Sequence, residues 1–417
     1  MTMNKIGFRE ALAITLENVL TLESETLSMS ECTDRVAASD LYAIVDSPSV
    51  DASLKDGYAV RSHEIDHAGP YNPVRLKVIG TAAAGQPCDQ VVSKGTAIRI
   101  LTGAKIPEGA DAVVAEEFTI PEAEIISVIN NAEPGRNIFP KGCDVAFQDL
   151  VAARGARLVP GLIGILAAAG YSHIPVFKKP RVAIIATGDE VVIPGRPLPE
   201  GKLYASNLAT LNAWCSRYGM PTSMDIVNDR PEVVLNMLKW AVKNHDAILT
   251  SGGAWTGDRD FVVAMLKILG WKQYFHRIRI GPGKAIGFGL LDGKPVFVLP
   301  GGPPSNLLAF LQIALPGLLK LGGYHSAGLP EMQVKLERTV SARDMDWTQF
   351  IFGVFKKEDG HTLFSPIELE SRLRSISMAE GVIAIPEGVL KIDAGSIVSA
   401  QLLVWPEYPA ACGGVFY

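Results

Sequence analysis

The sequence predicts a multidomain protein that combines an α/β domain with all-β regions. Its length, a central alternation of strand and helix patterns, and short β-type runs on either side lead to this prediction. The chain has 417 residues, whereas single hydrophobic cores stop growing at roughly 250–300 residues. Apolar residues make up 48% of the chain and charged residues 20%, which is typical of globular domains. We therefore expect several domains, each with its own core.

The first part of the chain predicts a helix followed by a small β domain. Residues 7–20 place apolar side chains at helical spacing, so one face of this helix needs a partner surface. A second helix, rich in small residues, is predicted over 158–170, and a domain boundary follows near Pro180. Between the helices lie short β-type runs separated by turn dipeptides, at 74–79, 97–101, 112–114 and 125–129.

From Arg181 onward, strand and helix patterns alternate. The run 182–185 is continuously apolar, as expected for a strand buried on both faces of a parallel sheet. Further strands are predicted over 223–227, 247–249, 274–280 and 296–299. Helices are predicted from a cap at Ser206 to Gly219, from 229–232 onward, over 261–269 and over 306–321. This order indicates a doubly wound sheet.

After Pro330 the pattern changes again. Apolar residues such as Val334, Leu336, Phe350 and Phe352 are separated mostly by polar residues, as in strands with one buried face. A segment of about 85 residues fits a small barrel or sandwich. The sequence therefore predicts a final all-β domain.

Charge and cysteine usage exclude several classes of protein. A formal net charge of -5 gives no positive field to attract nucleic acid or anionic lipid. The five cysteines are scattered and form no C-x-x-C pair, which argues against a disulfide framework or a structural zinc site. The apolar stretch 158–171 is shorter than the roughly 20 residues of a membrane span, and charged residues interrupt the opening segment. We expect a cytoplasmic protein.

Unusual loops follow the predicted strands of the α/β domain. In an open parallel sheet, ligands bind beyond the carboxyl ends of the strands, where backbone N–H groups and helix N-termini converge. Any one of these loops is explained equally well as a simple chain reversal. Because all four loops are expected on the same side of the sheet, a binding site is favoured over four unrelated chain reversals. The four loops are 187–190, 251–260, 281–284 and 300–305.

The residue types in these loops suit a phosphate-bearing ligand. Glycines let the backbone approach an anion, hydroxyl groups can donate hydrogen bonds, and Lys284 supplies a positive charge. The carboxylates of Asp189, Glu190 and Asp258 would repel a phosphate unless a hard cation such as Mg²⁺ bridges them. The loops therefore predict an anionic ligand together with a divalent metal.

A series of motifs along the chain identifies a family. They are Ser53-Leu-Lys-Asp-Gly-Tyr-Ala59, Ile98-Arg-Ile-Leu-Thr-Gly-Ala104, Lys141-Gly-Cys-Asp144, Tyr204-Ala-Ser-Asn207, Ser251-Gly-Gly253 and Leu299-Pro-Gly-Gly-Pro-Pro-Ser305. In this order they resemble the motifs of the molybdopterin molybdenumtransferase family, which includes MoeA and the gephyrin E domain. The resemblance spans nearly the whole chain.

The resemblance implies an elongated subunit of four domains that forms a homodimer. They are a helical and dimerisation domain (1–45 with 147–180), a β domain (46–146), an α/β molybdopterin-binding domain (181–328) and a C-terminal β-barrel (329–417). In the implied dimer, the pocket lies between the α/β domain of one subunit and the Asp56-bearing β domain of the other. A molybdopterin adenylyltransferase is a further implied partner.

The implied reaction places molybdate on the dithiolene of adenylylated molybdopterin and releases AMP with Mg²⁺ present. The resemblance assigns catalytic roles to Asp56, Asp144, Asp189 and Asp258, and metal binding to Asp189, Glu190 and Asp258. The implied substrate-binding residues are Thr187, Gly188, Asn207, Ser251, Gly252, Gly253, Lys284, Pro300, Gly301, Ser305 and Ser371.

Some positions depart from the family pattern. Gly281 replaces a lysine, Gly302 replaces an asparagine, and Ala205 replaces an aspartate. Arg277 and Arg279, at alternate positions of a predicted strand, either restore positive charge or form surface pairs. The departures leave open a paralogue selective for tungstate and a molybdopterin-binding scaffold or carrier without catalysis.

A zinc hydrolase is a further alternative. The segment His63-Glu-Ile-Asp-His67 fits H-E-x-x-H, in which two histidines on one helical face bind zinc. Ala68-Gly-Pro70 follows at once, so that little room is left for a helix. Solvated loop histidines are the interpretation that the sequence favours.

Overall fold

The protein is described by a computed structural model, which covers residues 6–253, 261–358, 360–368 and 371–404. The chain divides into two compact units. One unit is Thr26–Val176, and the other combines Met1–Glu25 with Phe177–Tyr417. The predicted class, α/β combined with all-β regions, is confirmed by the sheets described below.

The unit Thr26–Val176 is built on a six-stranded sheet. Its strands, in spatial order, are Ala112–Ala115, Gly57–Val60, Thr96–Ile100, Val74–Ala82, Ile125–Val128 and Thr119–Glu122. The predicted β-type runs are thus confirmed. A helix, Pro160–Ala168, packs with Cys32, Leu158 and Ile174 in a separate core. Shorter strands are Leu41–Tyr42, Ala52–Ser53, Ile138–Phe139, Leu150–Ala152 and His173–Phe177.

The α/β domain contains a mixed six-stranded sheet. Its strands, in spatial order, are Thr222–Val227, Val182–Thr187, Ala247–Ser251, Lys294–Leu299, Gly287–Leu291 and Lys272–His276. The first four are parallel, and each of the last two runs antiparallel to its neighbours. The short strands Val191–Val192 and Leu203–Tyr204 pair with each other outside this sheet.

Helices cover both faces of this sheet, which confirms the doubly wound pattern. Ile184 of the central strand packs in the same core as Leu211, whereas Ile185 packs with Leu238 on the opposite face. Alternate strand residues face opposite sides, so a strand covered on both sides is apolar throughout. The helices are Ser206–Arg217, Pro231–Asn244, Phe261–Ile268, Pro303–Ala309 and Leu315–Leu321, the last two joined by the π-type turn Phe310–Ala314.

Two local predictions in this domain are wrong, and one strand was missed. Ala205 is the N-cap residue, and Ser206 is already helical. The strand predicted over 274–280 ends at His276, because Arg277 has a φ of 67°, outside the range of extended backbone. The strand Gly287–Leu291 was not predicted, since its two glycines lower the β propensity of the run.

The N-terminal helix, Phe8–Asn18, finds its partner surface in the α/β domain. Ala11 and Thr15 are fully buried, and Ala11 shares a core with Leu315 and Leu318. Gly317 allows this contact, because a Cβ there would lie 3.1 Å from Thr15 Cγ2. The helix therefore belongs to the unit of the α/β domain, whereas the predicted helical domain groups residues 1–45 with 147–180.

The C-terminal region forms the predicted barrel of five strands. Thr348–Glu358 pairs with both His361–Pro366 and Gly381–Ile385, which closes the sheet. Glu331–Leu336 and Ile397–Leu402 complete the barrel. The remaining elements are the short strands Ile280–Gly281, Val340–Ser341 and Lys391–Ile392 and the helix Arg374–Met378.

One apolar helical run among the described residues is long enough to cross a membrane by length and composition. It is Pro303–Leu321, with 19 residues, and 83% of its apolar window is buried inside the protein. A core helix of a soluble protein has the same properties. The run is thus accounted for by its packing against the sheet and the N-terminal helix.

Candidate functional site

The described parts of the four predicted loops lie at one edge of the α/β sheet. The strands Val182–Thr187, Ala247–Ser251 and Lys294–Leu299 are parallel neighbours, so their carboxyl ends share that edge. Lys272–His276 runs in the same direction, because two antiparallel pairings separate it from Lys294–Leu299. The turn 281–284 follows this strand and therefore lies at the same edge.

Contacts between these loops define a site, which we call the strand-end cradle. It consists of Thr187, Asn207, Ser251, Gly252, Gly253, Pro300, Gly301 and Asn306. The backbone N–H of Gly252 donates to Leu299 O at 3.2 Å, which ties the second loop to the last parallel strand. A Cβ on Gly301 would lie 3.9 Å from the Gly252 Cα. The cradle thus brings together most of the predicted substrate-binding residues.

Two glycines let the loops approach each other closely. Gly252 has a φ of 98°, and a Cβ there would lie 2.7 Å from Thr187 O. Gly253 has a φ of 65°, and its Cβ would lie 2.5 Å from Val262 Cγ2. Only glycine adopts such backbone angles without strain, and no side chain fits into this space. Backbone is therefore exposed to any ligand that enters.

The cradle contains a buried hydroxyl group without a partner. Thr187 is 6% exposed, and its Oγ1 has no hydrogen-bond partner among the described residues. Leaving such a group unpaired costs about 1–3 kcal/mol. A ligand that accepts a hydrogen bond from Thr187 would remove this cost. Other buried hydroxyls of this sheet, such as that of Ser223, are also without a partner among the described residues, so the Thr187 hydroxyl agrees with the predicted site without proving it.

Asparagine side chains connect Ser251 with the loop 300–305. Asn207 Nδ2 lies 3.1 Å from Ser251 Oγ and 2.8 Å from Gly301 O. Asn306 Nδ2 lies 3.1 Å from Ser251 Oγ and 2.8 Å from Pro300 O. The sequence analysis missed Asn306. No sequence pattern distinguishes Asn306, which is 1% exposed and whose partners approach it only in the folded chain.

The predicted metal ligands Asp189 and Glu190 are exposed at the end of the first strand. A Cβ on Gly188 would lie 2.6 Å from Glu190 Oε2, so this carboxylate folds back over the strand end. Asp189 Oδ1 accepts a long hydrogen bond of 3.4 Å from Asp229 N. Asp258 lies outside the described residues. The described part of the chain contains no cluster of three or more His, Cys, Asp or Glu residues that could hold a metal ion.

The turn with Lys284 packs beside the helix that follows loop 300–305. A Cβ on Gly283 would lie 3.3 Å from Ser305 O. Lys284 is exposed and Ser305 is half-buried. Arg279, by contrast, forms an ion pair with Glu387 at 3.1 Å, so it is a paired group as one alternative predicted. Lys284 and Ser305 thus lie beside the cradle, and their contact with a ligand stays a prediction.

Ser371 lies in the barrel domain and has a local role. Its Oγ accepts a hydrogen bond of 3.3 Å from Arg374 N, at the start of the short helix Arg374–Met378. The N-cap residue of this helix is Leu373, so Ser371 makes a local contact just before the helix, and its predicted contact with substrate stays a prediction.

Asp56 and Asp144, the other predicted catalytic residues, are exposed in the unit Thr26–Val176. Asp56 Oδ1 accepts hydrogen bonds of 2.7 Å from both the N–H and the hydroxyl of Thr102. The Thr102 N–H, followed by its hydroxyl, lowers the pKa of Asp56 below its ordinary value. Asp144 N donates to Ser47 O at 3.0 Å. Asp56 is thus held as a carboxylate.

The geometry of the H-E-x-x-H segment does not fit the zinc alternative. Residues Ser62–Glu64 form a single 3-10 turn rather than an α-helix. His67 Nδ1 lies 2.6 Å from its neighbour Asp66, and His63 Nε2 lies 3.9 Å from Glu64. The two imidazoles therefore do not share a helical face, which that type of zinc site requires.

The fold and the cradle define a multidomain protein with an α/β domain and a candidate ligand site at its strand ends. Comparisons with known proteins identify the class of that domain. Residues 6–170 match the family model of the MoeA N-terminal region, domains I and II. Residues 183–320 match the model described as a probable molybdopterin binding domain. The second match contains the whole cradle.

Relatives extend this similarity over most of the chain. The chain is 31% identical over 321 residues to a molybdopterin molybdenumtransferase of Staphylococcus aureus, with 77% of each chain covered. It is 28% identical over 400 residues to one of Staphylococcus epidermidis, with 95% of each covered. A crystal structure of a molybdopterin biosynthesis MoeA protein from Pyrococcus horikoshii has 32% identity and a TM-score of 0.80, covering 96% of this chain and 99% of that chain. The chain therefore belongs to the molybdopterin molybdenumtransferase family, the MoeA enzymes of molybdenum-cofactor biosynthesis.

Proposed function

We propose that this enzyme inserts molybdate into adenylylated molybdopterin and releases AMP in a Mg²⁺-dependent reaction. The observation that supports this most strongly is the strand-end cradle, where a buried, unpaired Thr187 hydroxyl lies against glycine backbone. Such a site suits a phosphate oxygen, which accepts hydrogen bonds and approaches backbone closely. The relatives named as molybdopterin molybdenumtransferases supply the identity of the substrates.

The cradle would bind the pyrophosphate link of the substrate. Thr187 and Ser251, residues that are 6% and 5% exposed, would donate hydrogen bonds from their hydroxyl groups, and Lys284 would offset negative charge from the neighbouring turn. Donors fixed before the reaction stabilise developing charge without reorganisation. Water adds to one phosphorus, the bridging P–O bond breaks, and AMP leaves. Two Mo–S bonds form as the dithiol protons leave with one molybdate oxygen as water.

Asp189 and Glu190 are the described residues that would hold Mg²⁺. Their carboxylates are exposed at the strand end, and that of Glu190 folds back over Gly188 beside the cradle. Oxygen donors of this kind are what Mg²⁺ prefers. The bound ion would offset the charge of the pyrophosphate. Asp258 is proposed as a third ligand and catalytic residue.

Asp56 and Asp144 would act on the molybdate side, supplied by the second subunit of a homodimer. The Thr102 hydrogen bonds keep Asp56 ionised, so it can accept a proton or orient water. A carboxylate beside an oxyanion requires opposing positive charge, which Mg²⁺ and Lys284 would supply. We include in this proposal a cytoplasmic location and a molybdopterin adenylyltransferase as the supplier of substrate.

The test measures AMP release from adenylylated molybdopterin with Mg²⁺ and either molybdate or tungstate. We expect molybdate-dependent release, and a loss of about 10- to 100-fold in kcat/KM for Ser251→Ala, since a hydrogen bond to a charged group is removed. Ser223→Ala is the control, because it removes a buried hydroxyl near the amino end of the edge strand Thr222–Val227, at the opposite edge of the sheet from the cradle.

Each other outcome selects an alternative. Tight binding of the adenylylated pterin without AMP release would establish a scaffold or carrier. Release with tungstate alone would establish a tungstate-selective paralogue. These outcomes are worth testing because the departures at Ala205, Gly281 and Gly302 each remove a polar side chain. Ala205, which is 5% exposed, is the N-cap residue of the helix that carries Asn207.

A further inference from the structure

The two asparagines of the cradle fix the hydrogen-bonding role of Ser251. Each Nδ2 lies 2.8 Å from a backbone carbonyl oxygen, Gly301 O for Asn207 and Pro300 O for Asn306. A carbonyl oxygen can only accept, so the atom facing it must be the amide nitrogen rather than the amide oxygen. This settles the orientation of both amides by chemistry. Each NH₂ group has a second hydrogen, and it points to Ser251 Oγ at 3.1 Å.

Ser251 Oγ therefore accepts from both asparagines. A hydroxyl oxygen has two lone pairs and one hydrogen. Both lone pairs are used, and the hydrogen remains to be donated. Among the described residues, the side-chain contacts found for Ser251 Oγ are those with the two amides, and in both of them it accepts. Ser251 is 5% exposed and lies at the carboxyl end of its strand, where the cradle opens.

We infer that Asn306 is a positioning residue, which together with Asn207 fixes the Ser251 hydroxyl as a donor to a phosphate oxygen of the ligand. This inference rests on the proposed function. Asn306 does not touch the ligand in this arrangement and acts through Ser251. A fixed donor of this kind bonds a charged acceptor more strongly than a neutral one, so the arrangement favours an anionic group.

Asn306 supplies a buried amide group to the cradle, which Gly302 does not. Gly302 has no side chain to donate, whereas Asn306 lies four residues later in the same segment and is 1% exposed. Burying an amide is costly unless its hydrogens are bonded. Both hydrogens of Asn306 are bonded here, one to the loop and one to Ser251. The buried amide of Asn306 is therefore satisfied by contacts within the cradle.

The substitution Asn306→Asp tests this directly, because it preserves shape and reverses the hydrogen-bonding role. The carboxylate accepts from the Ser251 hydroxyl, so the hydrogen turns away from the ligand, and a negative charge is added. We expect ADP, which carries a pyrophosphate group, to bind about 10- to 100-fold more weakly at pH 8 in the presence of Mg²⁺. Asn306→Ala, which leaves the hydroxyl free to rotate, should cost less.

Asn212→Asp is the matched control. Asn212 lies in the same domain and accepts a hydrogen bond from the Thr222 hydroxyl through its Oδ1. An aspartate keeps that acceptor and adds the same charge at a distance from Ser251. Thermal unfolding of both variants shows whether either has lost its fold. The measured quantity is the ADP dissociation constant from calorimetric titration.

A pH series separates positioning from structural damage. As pH falls, the carboxyl group at position 306 takes up a proton and can donate again, so the ratio of variant to wild-type dissociation constants should decrease. Asp189, Glu190 and Lys284 are the titratable groups of the described loops around the cradle, and Asp258 follows in the same segment as Ser251. They are present in both proteins and cancel in the ratio.

The outcomes distinguish this inference from the proposed function. Equal ADP affinity for Asn306→Asp and Asn212→Asp, or a loss that stays constant with pH, overturns the inference, while AMP release by the wild type keeps the proposed function. If the wild type neither binds ADP nor releases AMP, both fail. A pH-dependent loss confined to Asn306→Asp supports the positioning role.

Discussion

The Cα of Gly252 lies so close to Thr187 that no side chain fits between them. A Cβ on Gly252 would lie 2.7 Å from Thr187 O and 3.0 Å from Thr187 Oγ1. The contact joins the ends of two neighbouring parallel strands. It also places backbone of the second strand beside the orphaned Thr187 hydroxyl. The shape of the cradle therefore depends on the absence of one methyl group.

We expect Gly252→Ala to weaken ADP binding and to destabilise the protein by more than backbone strain alone. Strain at a left-handed position costs about 1–2 kcal/mol, and here a clash with backbone adds to it. Gly195→Ala is the control, since Gly195 has a φ of 91° and a Cβ there meets nothing within 4 Å. Thermal unfolding and ADP titration provide the measurements. Equal effects of the two substitutions on unfolding and on ADP binding would show that the close approach of Gly252 to Thr187 contributes to neither.

The pKa of Asp56 should rise when the hydroxyl of Thr102 is removed. In Thr102→Val the backbone N–H still donates, so the pKa should move toward its ordinary value without reaching it. Because the folded pKa is depressed, the associated stability is present above the unfolded pKa and is lost as pH falls through the folded pKa. Carbon-13 NMR titration of the Asp56 carboxyl, assigned with Asp56→Asn, measures the shift.

Thr119→Val is the control for this prediction. Thr119 lies in the same unit, and its hydroxyl donates to Glu116 O at 2.9 Å rather than to Asp56. It should leave the Asp56 titration unchanged. A Thr102→Val variant with the wild-type Asp56 titration would show that the hydroxyl contributes nothing to this pKa.

Removal of Mg²⁺ should weaken ADP binding to the wild type. The pyrophosphate would then meet the carboxylates of Asp189 and Glu190 without an intervening cation, and like charges repel. In the double variant Asp189→Asn, Glu190→Gln, the response to Mg²⁺ should largely disappear, because the carboxylate oxygens are lost. Calorimetric titration with Mg²⁺ and with a chelator measures both. An unchanged Mg²⁺ response in the double variant would place the ion elsewhere.

The sequence predicted those elements whose burial leaves a simple pattern. The strand Val182–Thr187 reads as a continuous apolar run because cores cover both of its faces. The strand Gly287–Leu291 was not predicted from sequence, because the glycine at position 289 is required by neighbours that contact it only in the folded protein. A Cβ there would lie 2.4 Å from Lys272 O and 2.5 Å from Trp271 Nε1. Sequence pattern carries no information on such a neighbour.

The site was predictable to the extent that it follows from topology. The loops at the ends of parallel strands share one edge whatever their side chains, so Ser251 and Gly301 could be grouped from sequence. Asn306 could not, because it is a helix residue whose partners, Ser251 Oγ and Pro300 O, approach it only in the folded chain. The Ser371 contact with Arg374 N joins residues only three apart in the chain.

Two helical glycines should respond to alanine with opposite signs. Alanine is favoured over glycine in a helix by about 0.5–1 kcal/mol. At Gly164, in the helix Pro160–Ala168, a Cβ meets nothing within 4 Å, so the substitution should be stabilising. At Gly317 a Cβ would lie 2.6 Å from Phe297 Cζ, and overpacking of this kind costs about 1–3 kcal/mol.

Gly317→Ala should therefore loosen the contact between the N-terminal helix and the helix Leu315–Leu321. In scanning calorimetry we expect it to lower the unfolding temperature of the unit that contains the α/β domain, by about 2–4 °C for each kcal/mol lost. Gly164→Ala should raise that of the unit Thr26–Val176. If Gly317→Ala is as stabilising as Gly164→Ala, the N-terminal helix does not depend on close packing at Gly317. The burial of Ala11 and Thr15 would then have to be explained by contacts other than those at Gly317.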